Sequence, residues 1–477
     1  MARSSQSDVV PRSSLVEEMA GGELGDQRLH ERRDRLMTVL EQHPDTAFPD
    51  ACADDAEVEA LYRFLRNRRV SREALIEPHV VATHGRCAAL DEVLVIHDTT
   101  DMVFAGATAR AGLAALGKGR QGFWVHAALA VSAEGLRAPL GVLSLRPFVR
   151  KTQPPGTRKH ERARFEDPDK ESRHWGDGVA AVRRRCGAAV HAIHVMDRAG
   201  DSYELFTAMI AQQDRFVVRL THDRRVVTEE GPGMLHEATA RAALRCERQV
   251  TVAPRRAGNR PQQARKKHPP REGRLATLRV RVCRVALQRP AWLPVTAPRA
   301  LDVHVVSVAE AAAPAGEEPV EWHLITTEPV DTVEQVLRVV DWYRTRWMIE
   351  EFFKALKTGC AYEKRQLESL ATLLVALALL APIAWQLLLL RHLARAAPDG
   401  VATAVLSPRQ LQVLRAAPAG ARLDATPTLR DVLLTIARMG GHLRQNGDPG
   451  WLVLGRGMQK LLWMETGWAA AHDGRRM

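Results

Sequence analysis

Residues Asp341–Lys357 read DWYRTRWMIEEFFKALK. The stretch holds no Pro or Gly and many strong helix formers, so it predicts a helix. Trp342, Trp347, Ile349, Phe352, Phe353 and Leu356 spread apolar surface around much of it. At about 100° per residue, Tyr343, Arg346, Glu350 and Lys357 fall within an arc of roughly 60°. One face then carries a phenol, a guanidinium, a carboxylate and an ammonium group. The carboxylate suits a divalent metal ion, and the other three suit a phosphate. Glu351 lies about 80–100° from Glu350 and Tyr343, which makes Glu350 the inward carboxylate. The plainer reading is an amphipathic helix with an Arg346–Glu350 pair at i,i+4.

Two further stretches end in Asp. Val93–Thr100, VLVIHDTT, is a short apolar run that reads as a buried strand with Asp98 at its carboxyl end. Val190–Asp197, VHAIHVMD, reads the same way and is followed by RAGD. Either Asp alone often just caps a turn. Two strand-end Asp residues with one helix Glu match the acidic set of two-metal phosphoryl transfer, where paired ions about 3.5–4 Å apart stabilise the entering and leaving oxygens.

These residues carry a resemblance. Tyr343, Arg346, Glu350 and Lys357, at that spacing, resemble the Tyr-Arg-Glu-Lys signature of one group of bacterial insertion-sequence DDE transposases. HDTT around Asp98, MDRAGD around Asp197 and FVVR at Phe216–Arg219 are similar to the same group, in the same order. So are LGD at Leu24–Asp26, YRFLRN at Tyr62–Asn67, GFWVHAAL at Gly122–Leu129, DKES at Asp169–Ser172, WHLITTEPV at Trp322–Val330 and ARMGG at Ala437–Gly441. The resemblance implies an α/β fold with an RNase H-like catalytic core, a mixed sheet flanked by helices. It also implies a β-strand insertion and α-helical N- and C-terminal domains.

Composition fits. Lys plus Arg number 68 against 56 acidic residues, a formal charge of +12. That balance suits a polyanion, nucleic acid ahead of a membrane surface. The six Cys (Cys52, Cys87, Cys186, Cys246, Cys283, Cys360) stand singly, with no CxxC pair, so neither a zinc ribbon nor a disulfide framework is indicated. This suits a reducing cytoplasm, and the resemblance implies a bacterial one, at the nucleoid. The first residues, MARSSQSDVVPRSS, lack the apolar core of a secretory signal. Leu370–Leu390 is apolar enough to pass for a membrane span. Pro382 and Gln386 interrupt it, and a buried pair of core helices is the preferred reading, with no membrane partner.

In chain order, residues 1–72 read as an N-terminal DNA-binding domain: a disordered start to residue 20, then helical segments. Asp54 or Asp55 caps the second segment, whose end is basic through Arg63, Arg66, Arg68 and Arg69. A solvated basic helix end is the alternative. Residues 73–390 form the catalytic domain, opening with a lead-in to residue 90. Strands are predicted at 93–97, 124–132, 140–145, 190–196 and 216–220, and a helix near Lys170–Arg185 after a charged loop from 149. Asp201 with Glu204, and Asp331 with Glu334, read as helix capping pairs. Residues 223–325 read as the β-rich insertion, since the stretch from Asp197 to Glu350 exceeds what a compact core needs. Within it, 254–274 is a Pro-rich, basic loop suited to phosphate contacts. Residues 391–477 form a helical C-terminal domain that dimerises in the family. Val432, Leu433, Ile436, Met439, Leu452, Leu454, Leu461 and Leu462 allow that, and equally allow ordinary packing.

The chemistry implied by the resemblance is cut-and-paste transposition. Asp98, Asp197 and Glu350 hold two Mg²⁺ (or Mn²⁺) ions per site. Tyr343, Arg346, Lys357 and Arg219 hold DNA phosphates, and Trp322 stacks on a flipped base; read from its neighbours alone, Trp322 is a core residue. The partners are double-stranded DNA, as transposon ends and target, and a second copy of the chain in a synaptic homodimer. A metal-dependent nuclease without strand transfer and an inactive DNA-binding regulatory form are the alternatives.

Overall fold

The strand that ends at Asp98 is longer than its apolar run. In the computed structural model, β1 spans Val93–Ala105 and its first five residues are buried. It pairs antiparallel with β3 (Arg120–Ser132), with Asp98 opposite Ala127 and Thr99 opposite His126. β3 pairs in turn with β4 (Pro139–Phe148), and a two-residue β2 (Ala114–Ala115) flanks its start. Cys87, Val93, Val95, Ala128, Ala130, Leu140, Leu143, Val182, Cys186 and Val190 form one core beneath these strands. The structure describes residues 15–19, 21–42, 48–106, 108–116, 119–149, 171–252, 254, 269–443, 445 and 447–473. The predicted loop around 150–170, most of the basic loop 254–274 and the first fourteen residues lie outside them.

The described chain forms two compact units. One comprises Met1–Arg158, Asp177–Ala192 and Trp347–Met477; the other comprises Lys159–Gly176 and Ile193–Arg346.

The first unit is rich in helices. α1 (Leu15–Met19) is followed by α2 (Gln27–Gln42), α3 (Phe48–Ala51) and α4 (Asp55–Arg66). Asp54 is the N-cap of α4 and accepts the Glu57 N–H at 2.8 Å. α1 lies where disorder was expected. Its Leu15 and Met19 are buried, and Glu18 accepts hydrogen bonds from His79 (2.5 Å) and Arg86 (2.9 and 3.2 Å). His79 and Arg86 belong to α5 (Arg72–Ala88), a helix where the sequence suggested only a lead-in. Pro78 hid it, because an interior Pro usually ends a helix. The part of α6 (Glu171–Cys186) from Asp177 onward belongs to this unit and adds Val182 and Cys186 to the core.

Leu370–Ala396 is a single helix, α11, rather than a pair. Pro382 stays within it. Losing one backbone bond costs about 3 kcal/mol, less than burying several Leu side chains at roughly 1.5–3 kcal/mol each. Its mean hydropathy reaches 2.5 over a membrane-length window, 89% of which is buried inside the protein. Trp385 donates to the Pro139 carbonyl at 2.9 Å, tying α11 to β4. This helix is buried inside the fold and is not a span.

Near the C-terminus, α12 (Pro408–Ala416) precedes α13 (Leu429–Met439) and α14 (Trp451–Asp473). Val432, Leu433, Ile436, Leu454, Leu461 and Leu462 are all buried within the chain itself. α13 and α14 pack through glycines. A Cβ on Gly457 would lie 1.7 Å from the Ile436 carbonyl oxygen, and one on Gly440 would lie 1.9 Å from that of Val453. Gly457→Ala is therefore expected to destabilise the protein by about 1–3 kcal/mol, as overpacked cores do. Denaturant unfolding measures this, and an unchanged midpoint would contradict the close approach.

The second unit is built on a mixed sheet. β5 (Ala192–Met196) lies parallel to β6 (Arg215–Arg219), joined by α7 (Tyr203–Ala211). The cap of α7 is Ser202 and not Asp201. Asp201 instead pairs with Arg224 and accepts the N–H groups of Thr221 (2.8 Å) and His222 (3.1 Å). Beyond β6 the sheet continues antiparallel through β12 (Glu321–Thr326), β11 (Ala300–Glu310) and β10 (Arg274–Gln288). β10 also pairs with β9 (Leu244–Val252) and with β7 (Arg225–Thr228), and β7 pairs with β8 (Gly231–Met234). A short helix, α8 (Leu235–Arg241), lies within this region. Mixed sheet, flanking helices and helical termini make the α/β, RNase H-like architecture expected from the sequence.

Candidate active site

Asp341–Lys357 is not one uninterrupted helix. α9 runs from Val333 to Thr345, and Thr332 caps it with Gln335 in a reciprocal box, displacing the expected Asp331–Glu334 pair. The Arg346 N–H turns to the Tyr343 carbonyl three residues back, at 3.0 Å. α10 then spans Trp347–Lys354, and a π-helical turn follows over Ala355–Gly359. The predicted arc assumed a constant 100° per residue as far as Lys357, and the wider π turn breaks that assumption. Local contacts fix Lys357 instead.

In the first unit, α10 packs beside β1. Asp98 is half-buried and accepts the Thr99 N–H at 2.8 Å. Glu350 is half-buried on α10. Its neighbour Glu351 has both oxygens engaged, by Lys354 at 2.7 Å and Arg391 at 2.8 Å. Burial pulls the Arg391 guanidinium down to about 10, Arg395 adds to the fall, and Glu351 opposes it. Lys357 donates to Thr100 Oγ1 at 2.8 Å and lies 3.4 Å from an Asp101 carboxylate oxygen and 3.6 Å from Glu363. Glu363 also accepts the Val103 N–H at 2.9 Å. The ammonium therefore sits against the residues that directly follow Asp98. Sequence reading missed Glu363, which no periodicity marks.

The other face of β1 carries a buried polar pair next to the apolar core. His97 and His126 are fully buried, with His97 Nδ1 and His126 Nε2 3.3 Å apart and Thr99 Oγ1 2.9 Å from His126 Nδ1. A Cβ on Gly178 of α6 would fall 2.5 Å from His126, so only glycine lets that helix cover the pair.

The second unit gathers the remaining residues. Asp197 caps a 3-10 turn at the end of β5, accepting the Ala199 N–H at 2.8 Å. Tyr343 is buried on α9, edge-on to Trp322 of β12 with ring centroids 5.3 Å apart. Burial raises the Tyr343 phenol; Arg346 and Arg219 oppose that rise, Arg219 also through a hydrogen bond, and Asp197 adds to it. Asp197, Arg219 and Arg346 thus each lie within electrostatic reach of the Tyr343 phenol. Arg219 also donates to the Glu321 carbonyl at 3.0 Å. Trp322 is half-buried, so part of its ring packs as a core residue would.

Among the described residues, no group of three or more His, Cys, Asp or Glu side chains is arranged to hold a metal ion. The donor types do fit one: Asp98, Asp197 and Glu350 are hard oxygen ligands suited to Mg²⁺ or Mn²⁺.

Two family models match the chain, together covering more than half of it. Residues 11–70 match the transposase DNA-binding family. Residues 169–385 match the transposase DDE domain. The protein is a DDE transposase. The transposase is thus an enzyme that cuts and joins DNA, and its domain class uses divalent metal ions. The DDE match encloses Asp197, Arg219, Trp322, Tyr343, Arg346, Glu350 and Lys357, and begins after Asp98. A structural comparison of the transposase finds the cryo-EM structure of a piggyBac transposase synaptic complex with hairpin DNA. That protein is 9% identical, with a TM-score of 0.35 over 82% of this chain and 75% of its own. At that distance it adds nothing to the assignment.

Proposed function

We propose that the transposase moves its element by cut-and-paste, using Asp98, Asp197 and Glu350 as the carboxylates that hold two Mg²⁺ (or Mn²⁺) ions. One observation supports this reading: the DDE match spans both Asp197 and Glu350, and β1, the strand that carries Asp98, packs against the helix that carries Glu350. When bound, the metal ions activate the attacking oxygen and offset charge on the leaving 3′-oxygen. The protein's part is positioning. Arg346 and Arg219 offer forked donors to a phosphate, and the Tyr343 hydroxyl, kept protonated by burial, donates beside them. Lys357 holds the backbone near Thr100 and Asp101. Trp322 offers a ring face to a flipped base.

Each step is in-line displacement at a phosphodiester. Water breaks the first strand and frees a 3′-hydroxyl. That hydroxyl attacks the opposite strand, closing a hairpin and releasing the flanking DNA. Water reopens the hairpin, and the 3′-hydroxyl then attacks target DNA. Under this reading the transposase belongs with the Tyr-Arg-Glu-Lys group, which includes the transposase of the composite kanamycin-resistance transposon. Residues 1–72 grip the element ends, 73–390 catalyse with 223–325 as an insertion, and 391–477 support a homodimer in the synaptic complex. That dimer forms through surfaces other than the apolar residues α13 and α14 bury. The setting is the bacterial cytoplasm, at the nucleoid.

The test is incubation of a labelled fragment carrying the element's own ends with protein and Mg²⁺. Hairpin-ended element DNA freed of its flanks, followed by joined product, is the expected result. Nicking without hairpin or joining would establish the nuclease reading instead, and binding without any cleavage would establish the regulatory form.

A further inference from the structure

The turn between β10 and β11, Arg289–Arg299, reads RPAWLPVTAPR. It holds three Pro, two Arg and no acidic residue. Backbone bonds close it: Arg289 N–H to Arg299 O at 2.9 Å, Leu293 N–H to Pro290 O and Ala297 N–H to Pro294 O, both at 3.0 Å. The Arg289 guanidinium reaches back to the carbonyls of Pro294 and Ala297, each at 3.0 Å. The Tyr203 hydroxyl donates to the Pro298 carbonyl at 2.9 Å, and Leu293 is buried. The turn is therefore braced from both sides. Yet it presents Trp292, 49% exposed, and Val295, 86% exposed, to solvent.

We propose that this turn is a DNA-contacting prong, in which Trp292 and Val295 wedge against an opened base step while Arg299, with Arg284 and Arg225 on the adjoining strands, holds the phosphates. Charge selects the occupant. Arg225, Arg284 and Arg299 are exposed, and Arg289 braces the turn from within. Two exposed apolar side chains are too few for a protein interface, which needs roughly 800 Å² per partner. A second copy meeting the same turn would set these arginines against their own counterparts. An apolar wedge flanked by cations fits a duplex whose stacking is weakened, and a pre-braced turn loses little entropy on insertion.

The experiment uses the full chain and two labelled duplexes of arbitrary sequence, identical except for one central mismatch. Wild type should bind the mismatched duplex more tightly, by about five- to tenfold, the low end of what one base–aromatic stack supplies. Trp292→Ala should abolish that preference with the salt dependence unchanged, and Trp292→Tyr should restore most of it. Arg299→Gln should keep the preference and reduce the slope of log affinity against log salt by about one. Retention of the preference in Trp292→Ala, or no preference in wild type, would overturn the proposal. So would a change of oligomeric state in Trp292→Ala at unchanged DNA preference, which would assign the turn to a second copy.

Discussion

Glu350→Ala is expected to leave DNA binding intact and to reduce strand cleavage by at least about a thousandfold. On the proposed role, losing this carboxylate removes several kcal/mol of transition-state charge stabilisation, and each 1.36 kcal/mol is tenfold in rate. Single-turnover cleavage of the element-end fragment, beside gel-shift affinity, makes the measurement. Glu351→Ala is the informative control. Glu351 already holds Lys354 and Arg391, so its loss leaves a buried guanidinium without that partner. The variant should lose thermal stability while keeping a near-normal rate at low temperature. The opposite pattern, with Glu350→Ala active and Glu351→Ala dead, would move the acidic role by one residue. That shift would turn the functional face of α10 by about 100°.

Glu18→Ala is expected to destabilise the protein by about 3–5 kcal/mol, the usual cost of removing one partner from a buried ion pair. The Glu18 side chain is 3% exposed between His79 and Arg86. His79 Nε2 accepts the Val142 N–H at 3.0 Å, so its proton lies on Nδ1 and points at Glu18. Burial lowers the His79 pKa and keeps the ring neutral. For Glu18, burial acts upward; the hydrogen bonds and charges of His79 and Arg86 outweigh it and hold the carboxyl at about 2 instead of 4.5. A lowered carboxyl pKa stabilises the fold at pH values above 4.5, and the contribution fades as pH falls towards 2. Acid titration of the unfolding midpoint should show that loss in wild type, and Glu18→Gln should flatten it. A wild-type midpoint insensitive to pH between 4.5 and 2 would refute the assignment.

Some of this was legible because it is written in local pattern. The apolar runs before Asp98 and Asp197 are strands because continuous Val, Ile and Leu favour a doubly covered strand. Within the predicted β-rich insertion, Leu278, Val280 and Val282 alternate with Arg279, Arg281 and Cys283 at the period of a strand, and β10 runs through them. Other features were hidden for local reasons. Pro382 argued for a break that packing overrode. Ser202 and Thr332 took the capping roles expected of their neighbours Asp201 and Asp331, since hydroxyl and carboxylate caps compete at adjacent positions and backbone direction chooses between them.

The sequence by itself determined the residue types of the site, their order along the chain and the class of fold, because spacing and hydrophobic period are one-dimensional properties. Tertiary structure alone decided the rest. It turned Lys357 onto Thr100 and Asp101 through a π turn, left Glu351 to Arg391, and set Asp197, Arg219 and Arg346 around the Tyr343 phenol. It also clasped the N-terminal Glu18 between two residues of a distant helix. Each of these depends on desolvation, which only packing imposes: a carboxylate, a guanidinium or a phenol takes its partner from whatever the fold buries beside it.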